Sequence, residues 1–347
     1  MINNTVHMAN VTPNSIDGNA KPPDQSHLPA TIPIDHPWLS RLSQSAILYH
    51  DNGPSGSNEI HTVDKEIYGN PSYPILFRIG NGGAGYTGLL QLLAEHYLSS
   101  RRHQFRIGWV SNHSRHTQAA LLADIVQVAL TYEPQNEDLA IEEGWCRRVC
   151  RAFNDHFILA GPASDPAGLR RRGDGVVDAL RAIAMHADGG SASTVFHTRG
   201  DGSATYFREQ KLWARAQVST AGAPSWLCTH AVPPYQALVK AEEASAYLLT
   251  DRATYLTAKR DGVIPNLRVY VEGGAELLNP CAAVVNVKAA NDPAHMAAWE
   301  FAEWLASDEA EGLVRGYGKD WSCGKALFTV ATQDEFEASE SLINLDI

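Results

Sequence analysis

Short apolar runs alternate with helical patterns over most of the chain. Residues 75–79 form a β-rich run that ends at a cluster of glycines, and the apolar residues over 89–97 then recur at helical spacing. Further strand-like runs cover 105–110 and 126–132, with a helical pattern over 119–125 between them. This β-α-β-α-β order predicts a parallel, open sheet and an α/β fold class.

The alternation continues through the second half of the chain. It predicts strands over residues 156–160, 195–197, 268–272 and 282–287. It predicts helices over residues 176–186, 206–214, 235–246, 294–306 and 309–317. A chain of 347 residues is long enough for two such lobes, each with its own core.

The two ends of the chain differ from this regular part. Residues 1–34 are polar and rich in Asn, Pro, Asp and Ser, which is typical of a disordered tail. Residues 35–73 are interpreted as an N-terminal extension with a turn-rich break at 51–58, and residues 331–347 as a C-terminal tail. The N-terminus lacks a basic start followed by an apolar run, so the sequence as given predicts a cytoplasmic location and no membrane insertion.

Charge and cysteine content narrow the function classes. The formal net charge of −11 argues against nucleic-acid partners and acidic membranes, although a small anion could still bind locally to backbone N–H groups and one arginine. Five scattered cysteines indicate a reducing compartment rather than a disulfide framework. Cys146 and Cys150 are one helical turn apart and are interpreted as ordinary helix cysteines, and no metal or cofactor is expected.

The glycine cluster from Gly80 to Gly88 follows a predicted strand and precedes a predicted helix. Such a segment can bring backbone N–H groups together as an anion-binding loop. Its G-x-G-x-x-G spacing also suggests a dinucleotide site. No carboxylate closes the second strand, which disfavours NAD, whereas Arg115 could face the extra phosphate of NADP. A tight turn with a purely structural role is the remaining alternative.

A second polar turn, from Thr198 to Thr205, also precedes a helix. Ser203 and Thr205 are residue types that cap helices and begin their first turn. Arg199 can make paired, charge-assisted hydrogen bonds to an oxyanion. The alternative is a surface turn in which Arg199 pairs with Asp201.

Two weaker features complete the set of candidate residues. In the third turn Thr250 could donate to a ligand, whereas Asp251 and Arg252 are expected to pair or to cap the following helix. His113 and His116 are interpreted as a solvated pair, because no third metal ligand accompanies them in sequence. No nucleophile motif is present, so a binding protein is expected rather than an enzyme.

Several of these stretches, taken in order, resemble the bacterial tungstate-binding proteins of the type II periplasmic substrate-binding class. The matching segments are Asn154–Pro162, Thr198–Thr205, Tyr247–Leu256, Val269–Gly273 and the helix over Ala298–Ala310. The resemblance covers about residues 75 to 330. It implies two α/β lobes joined by two crossovers, here 74–155 with 275–330 and 160–270, and crossings near 156–162 and 268–275.

The resemblance also implies where a tetrahedral oxyanion would bind. Its ligands would be Asn81, Gly82 and Gly83, then Ser114, and then Arg199 with Ser203 and Thr205. This chain departs from the family because its first loop lacks hydroxyl side chains and its second carries His113 and Arg115. Both departures suggest a ligand other than tungstate, such as a carboxylate or a phosphate ester.

The sequence therefore predicts a protein that binds a small oxyanion in the cleft between two lobes. The missing export signal argues against a transporter partner. Two alternatives remain open, an NADP-dependent oxidoreductase that uses the glycine loop and a pathway enzyme on the same scaffold.

Overall fold

The computed structural model describes residues 59–173, 175–190, 193–287 and 292–331, together with the backbone of one further strand, Thr31–Pro33. The strands, in chain order, are β1 Thr31–Pro33, β2 Glu59–His61, β3 Glu66–Tyr68, β4 Ile75–Asn81, β5 Arg106–Ser111, β6 Val128–Thr131, β7 Cys146–Pro162, β8 Phe196–Thr198, β9 Leu227–Thr229, β10 Leu248–Asp251, β11 Leu267–Glu272 and β12 Leu278–Asn286.

The α-helices of the described part are α1 Gly83–Tyr86, α2 Leu89–Ser100, α3 Ser114–Leu122, α4 Pro134–Glu142, α5 Val176–Asp188, α6 Ala204–Arg215, α7 Pro234–Ala244, α8 Arg252–Arg260, α9 Pro293–Trp304 and α10 Asp308–Gly316. Six of them, α2, α5, α6, α7, α9 and α10, lie within a few residues of the predicted bounds, whereas no bounds were predicted for α1, α4 and α8. Helix α3 begins earlier than expected, and its first turn lies at the cleft described below.

One lobe is built on the sheet with strand order β7-β12-β6-β4-β5-β3. Strand β4 is parallel to both β5 and β6, as the β-α-β-α-β pattern predicts. Strands β12 and β3 run antiparallel to their neighbours, so the complete sheet is mixed rather than parallel. Helices cover both faces, because one apolar cluster includes residues of α2 and α9 and the other includes residues of α3.

The second lobe is built around the end of β7. Strands β10 and β11 pair antiparallel with Phe157–Pro162 of β7, one on each side. Strand β8 joins β10 through bridges between Phe196 and Tyr247, and β9 pairs parallel with β8. Helices α5 and α6 pack on one face and α7 and α8 on the other.

The chain passes between the lobes twice. Strand β7 pairs with β12 up to His156 and with β10 and β11 from Phe157 onward, so it crosses within one continuous strand. The return lies between the end of β11 at Glu272 and the start of β12 at Leu278. Two α/β lobes joined by two crossings are the architecture that the sequence resemblance implies.

Two predictions need correction. Cys146 and Cys150 do not lie on a helix, because both belong to strand β7, where Cys150 faces Ala283 and Cys146 faces Asn286 of β12. Thr31–Pro33, within the predicted disordered tail, pairs as a strand with Glu59–His61. The rest of that tail, residues 34–58 and the C-terminal tail beyond residue 331 lie outside the described residues.

Candidate functional site

A cavity of about 250 Å³ lies where the two lobes meet. Gly82, Gly83 and Ser114 reach its wall from the first lobe, and Arg199, Ser203 and Thr205 reach it from the second. These are six of the eight residues that the sequence singles out for ligand binding. Their part in binding stays a prediction, but the fold brings all six to one place.

The other two predicted residues do not line the cavity. The side-chain amide of Asn81 donates to the carbonyl of Leu130 at 2.9 Å and accepts the N–H of Gly85 at 3.0 Å. It therefore stabilises the glycine loop instead of lining the cavity. Thr250 is buried within β10, opposite Ile158. The neighbouring Asp251 reaches the cavity in its place.

Helices α3 and α6 both begin at the cavity, one from each lobe. Ser114 and His116 of the first turn of α3, and Ala204 and Thr205 of the first turn of α6, line its wall. Backbone N–H groups in a first turn have no partner within their own helix, and the helix dipole makes that end electropositive. Two such ends at one cavity favour a negatively charged ligand.

The hydroxyl of Ser114 is oriented by the backbone just after β6. Its Oγ accepts the N–H of Tyr132 at 3.1 Å. A hydroxyl that accepts in this way keeps its own hydrogen for donation. Ser114 is therefore a donor available to a ligand at the cavity wall.

Arg199 is already paired within its own turn. Its Nε donates to the carbonyl of Val232 at 3.1 Å, and a terminal nitrogen donates to a carboxylate oxygen of Asp201. Both side chains are only about a tenth exposed, at 11% and 12%. The predicted alternative is thus correct about the pairing and wrong about the location, since the pair lies in the cavity wall rather than on the surface.

The carboxylate of Asp201 organises the start of α6. Its Oδ1 accepts the Oγ–H of Ser203 at 2.6 Å and the N–H of Ser203 at 3.2 Å. Ser203 in turn caps α6, because its Oγ accepts the N–H of Tyr206 at 3.4 Å. Asp201 therefore occupies donors that an external anion would also use.

Two further carboxyl groups, from Asp155 and Asp251, line the cavity near the crossover. Asp251 caps α8 by accepting the N–H of Thr254 at 2.7 Å, as the sequence predicts for this residue. Burial raises the pKa of Asp251, and burial together with the neighbouring Asp251 raises the pKa of Asp155 well above its usual value. Both groups therefore hold a proton to higher pH than ordinary carboxyls, which lowers their repulsion toward an anion.

The prediction that His113 and His116 form a solvated pair is wrong. Their ring centroids are 3.8 Å apart, and both residues line the cavity with His61. Burial and the neighbouring Arg199 lower the pKa of His113 to about 3, and burial and His113 lower that of His116 to about 2. Both rings are neutral at physiological pH.

His61 is a cavity residue that the sequence does not reveal. It belongs to β2, in the predicted N-terminal extension, and the side-chain amide of Asn112 holds it there. That amide accepts the N–H of His61 and donates to its carbonyl, both at 2.9 Å. The contact joins residues 51 positions apart in the chain, so no local pattern could predict it.

Two of the three glycines in the G-x-G-x-x-G spacing, Gly80 and Gly85, have packing roles. A Cβ on Gly85 would lie 2.1 Å from the ring of Trp109, and one on Gly80 would lie 2.7 Å from a methyl group of Thr117. The helix that follows, α1, is a single turn. The spacing is therefore explained without a dinucleotide.

Two classes of site find no support in the described part of the chain. No group of three or more His, Cys, Asp or Glu side chains there is arranged to hold a metal ion. No helix in the same residues has the length and apolar character needed to cross a membrane.

Comparison with known proteins places this geometry in a family. Over 195 residues the chain is 32% identical to a Haloferax volcanii protein whose name describes it as a candidate ABC transporter anion-binding protein, covering 55% of this chain and 54% of that one. It is also 32% identical over 179 residues to the tungstate-binding protein TupA of Peptoclostridium acidaminophilum, covering 51% and 58% respectively. The chain thus spans about half the length of the curated relatives it matches.

A solved structure and a family model agree with these relatives. The tungstate-binding protein TupA of Desulfovibrio alaskensis G20 superposes with a TM-score of 0.59 at 26% identity, covering 75% of this chain and 100% of that one. The model of the PBP superfamily domain matches residues 55–309, which is well over half of the sequence. The chain therefore belongs to the PBP (periplasmic binding protein) superfamily.

Proposed function

We propose that this protein binds a small oxyanion in the cavity between its lobes, in the manner of a solute-binding protein. The observation that carries the proposal is that two helices of opposite lobes, α3 and α6, begin at one cavity beside Arg199. The names of the relatives, an anion-binding protein of an ABC transporter and TupA, support the same ligand class.

The proposed contacts follow from the donors at the cavity wall. The N–H groups of Ala204 and Thr205 in α6, and the hydroxyl of Ser114 at the start of α3, would approach the anion from opposite lobes. Arg199 would add a charge-assisted hydrogen bond and exchange part of its contact with Asp201 for the ligand. Because donors come from both lobes, binding would favour a closed cleft.

Arg199 provides the first test of this proposal. A hydrogen bond to a charged group contributes about 1.5–3 kcal/mol, so Arg199→Ala should weaken oxyanion binding by roughly 10- to 150-fold. Calorimetric titration with tungstate, molybdate, sulfate and phosphate would measure this. Arg315→Ala removes an arginine that is 62% exposed on α10 and serves as the matched control.

The outcomes of that titration are distinct. Binding in the wild type and the control, with loss in Arg199→Ala, supports the proposal. Unchanged affinity in Arg199→Ala would remove Arg199 from the site. Failure of every oxyanion to bind, with saturable binding of NADP, would overturn the proposal in favour of a nucleotide-binding function.

A further inference from the structure

The wall formed by the first loop carries no side chains. Gly82 and Gly83 both line the cavity. A Cβ on Gly83 would meet no atom within 4 Å, and its backbone is not in the left-handed region, so a side chain there would enter open space without strain. Gly83 therefore leaves its part of the cavity wall without a side chain, although its backbone would accept one.

The size of the cavity exceeds the need of a bare oxyanion. Its volume is about 250 Å³, whereas a cavity of about 10–15 Å³ is enough to hold one water molecule. A bare tetrahedral oxyanion fills only part of that space. Pockets for drug-sized ligands begin at about 300 Å³, so the cavity suits a ligand of intermediate size.

The remaining wall suits an uncharged organic group. Tyr86, Val232 and Pro233 line the cavity with largely apolar surfaces, and the rings of His113 and His116, which are tilted by 35° to each other, add a neutral face.

We infer that the ligand is a monosubstituted oxyanion, a small organic phosphate monoester. Its anionic head would lie against Arg199 and the start of α6, and its organic group would lie beside Gly83 and His113. This inference rests on the proposed function and names the ligand class of the same site.

A size series with one head group tests the inference. Inorganic phosphate, methyl phosphate and phenyl phosphate are titrated at about pH 8, where all three are chiefly dianions. Phenyl phosphate should bind at least about tenfold more tightly than inorganic phosphate, and the affinity of methyl phosphate should lie between the two. Tungstate and molybdate are titrated alongside.

The variant Gly83→Ser provides a second test of the inference. The added side chain fills the space beside the organic group and offers a hydroxyl to a bare oxyanion. Phenyl phosphate should bind about tenfold more weakly to this variant, whereas inorganic phosphate should bind equally or more tightly. Gly312→Ser is the matched control, because a Cβ on Gly312 also meets no atom within 4 Å but this exposed glycine lies on α10, outside the cavity wall.

The results separate this inference from the proposed function. If tungstate, molybdate or inorganic phosphate binds as tightly as phenyl phosphate, the inference is wrong and the oxyanion function stands. If Gly83→Ser weakens all anions equally, Gly83 does not select between them, which also overturns the inference. If no anion binds the wild type, both fall together.

Discussion

At the scale of single residues, the cavity combines an anion-attracting wall with three carboxyl groups. Asp201 is neutralised by Arg199, whereas Asp155 and Asp251 lie buried near each other at the crossover. Burying two negative charges together is costly unless a proton reduces the repulsion. Burial and the nearby Asp251 raise the pKa of Asp155 well above its usual value, and we interpret Asp155 as a group that repels a ligand less than an ordinary carboxylate would.

The substitution Asp155→Asn tests this interpretation. A folded-state pKa above the unfolded value means that the native state binds the extra proton, so wild-type stability falls as pH rises above the unfolded pKa of about 4. Because Asn carries no charge, the variant should be more stable than the wild type near pH 8 and lose this advantage near pH 4. Urea unfolding at both pH values measures the difference, and a variant destabilised equally at both would contradict the interpretation.

At the scale of elements, the sequence predicts those helices and strands whose formation depends mainly on their own residues. The helices α5, α6, α7, α9 and α10 lie close to their predicted bounds, because each carries its own apolar face. The start of β7 was not predicted, since residues 146–151 include three arginines and show no strand alternation. Pairing with β12 and ion pairs from Arg148 and Arg151 to the buried Glu137 hold that segment extended.

The same difference between locally determined features and features that depend on distant contacts applies to the candidate site. The turns at Gly82–Gly83 and Arg199–Thr205 are visible in the sequence because glycine and capping residues mark them. His61 and the neutral state of His113 depend on contacts between distant segments and on burial, which no spacing reveals. The sequence therefore predicts the two candidate ligand-binding turns better than the histidines that line the cavity with them.

The loop after β4 allows a test of why its glycines are present. In Gly85→Ala the new methyl group would overlap the ring of Trp109, which is 1% exposed and cannot move without displacing the core. Overpacking of this kind costs about 1–3 kcal/mol, whereas Gly83→Ala should be nearly neutral. Urea unfolding of both variants checks this, and equal stability of the two would show that packing does not require Gly85.

Helices α3 and α6 also touch each other across the cleft. The guanidinium carbon of Arg115 lies 4.0 Å from the ring centroid of Phe207, and Arg115 is held in place by Glu133 at 3.1 Å. This cation–π contact joins the two lobes, and we infer that it stabilises the closed cleft by about 0.5–2 kcal/mol.

Phe207→Leu should therefore weaken ligand binding. The contact stabilises the closed form, so its loss should lower affinity by roughly 2- to 30-fold, mainly through faster dissociation. Phe207→Tyr keeps an aromatic face and should bind like the wild type. Stopped-flow dissociation and calorimetry measure both, and identical behaviour of the Leu and Tyr variants would show that the ring does not stabilise closure.

At the scale of the whole molecule, buried ionisable groups of two kinds set how stability depends on pH. Burial lowers the pKa of several histidines and raises the pKa of two glutamates. The histidines are His113 and His156 (about 3), His116 (about 2) and His197 (about 4), and the glutamates are Glu133 (about 7) and Glu209 (about 8).

These shifts act in opposite directions along the pH scale. Below about pH 6.5 the unfolded histidines take up protons that the folded ones refuse, so stability falls as pH decreases. Above about pH 4.5 the unfolded glutamates release protons that the folded ones keep, so stability falls as pH rises toward 8. The two effects oppose each other only between about pH 4.5 and 6.5. Stability should therefore be greatest at weakly acidic pH.

The variant Glu209→Gln tests the alkaline limb of the stability curve, that is, the loss of stability that is expected as pH rises toward 8. Glu209 is 1% exposed and accepts the indole N–H of Trp213 at 3.3 Å, a hydrogen bond that Gln can also accept. Because one pKa unit corresponds to about 1.4 kcal/mol, removing this titration should reduce the loss of stability between about pH 6.5 and 8 by roughly 1–2 kcal/mol. Below about pH 4.5 both proteins should lose stability in parallel, since the histidines are unchanged. Urea unfolding across this range measures both limbs. The interpretation would be contradicted if wild-type stability rose from pH 6.5 to 8. It would also be contradicted if the variant lost as much stability as the wild type over this range, since Glu209 would then be ionised in the folded protein.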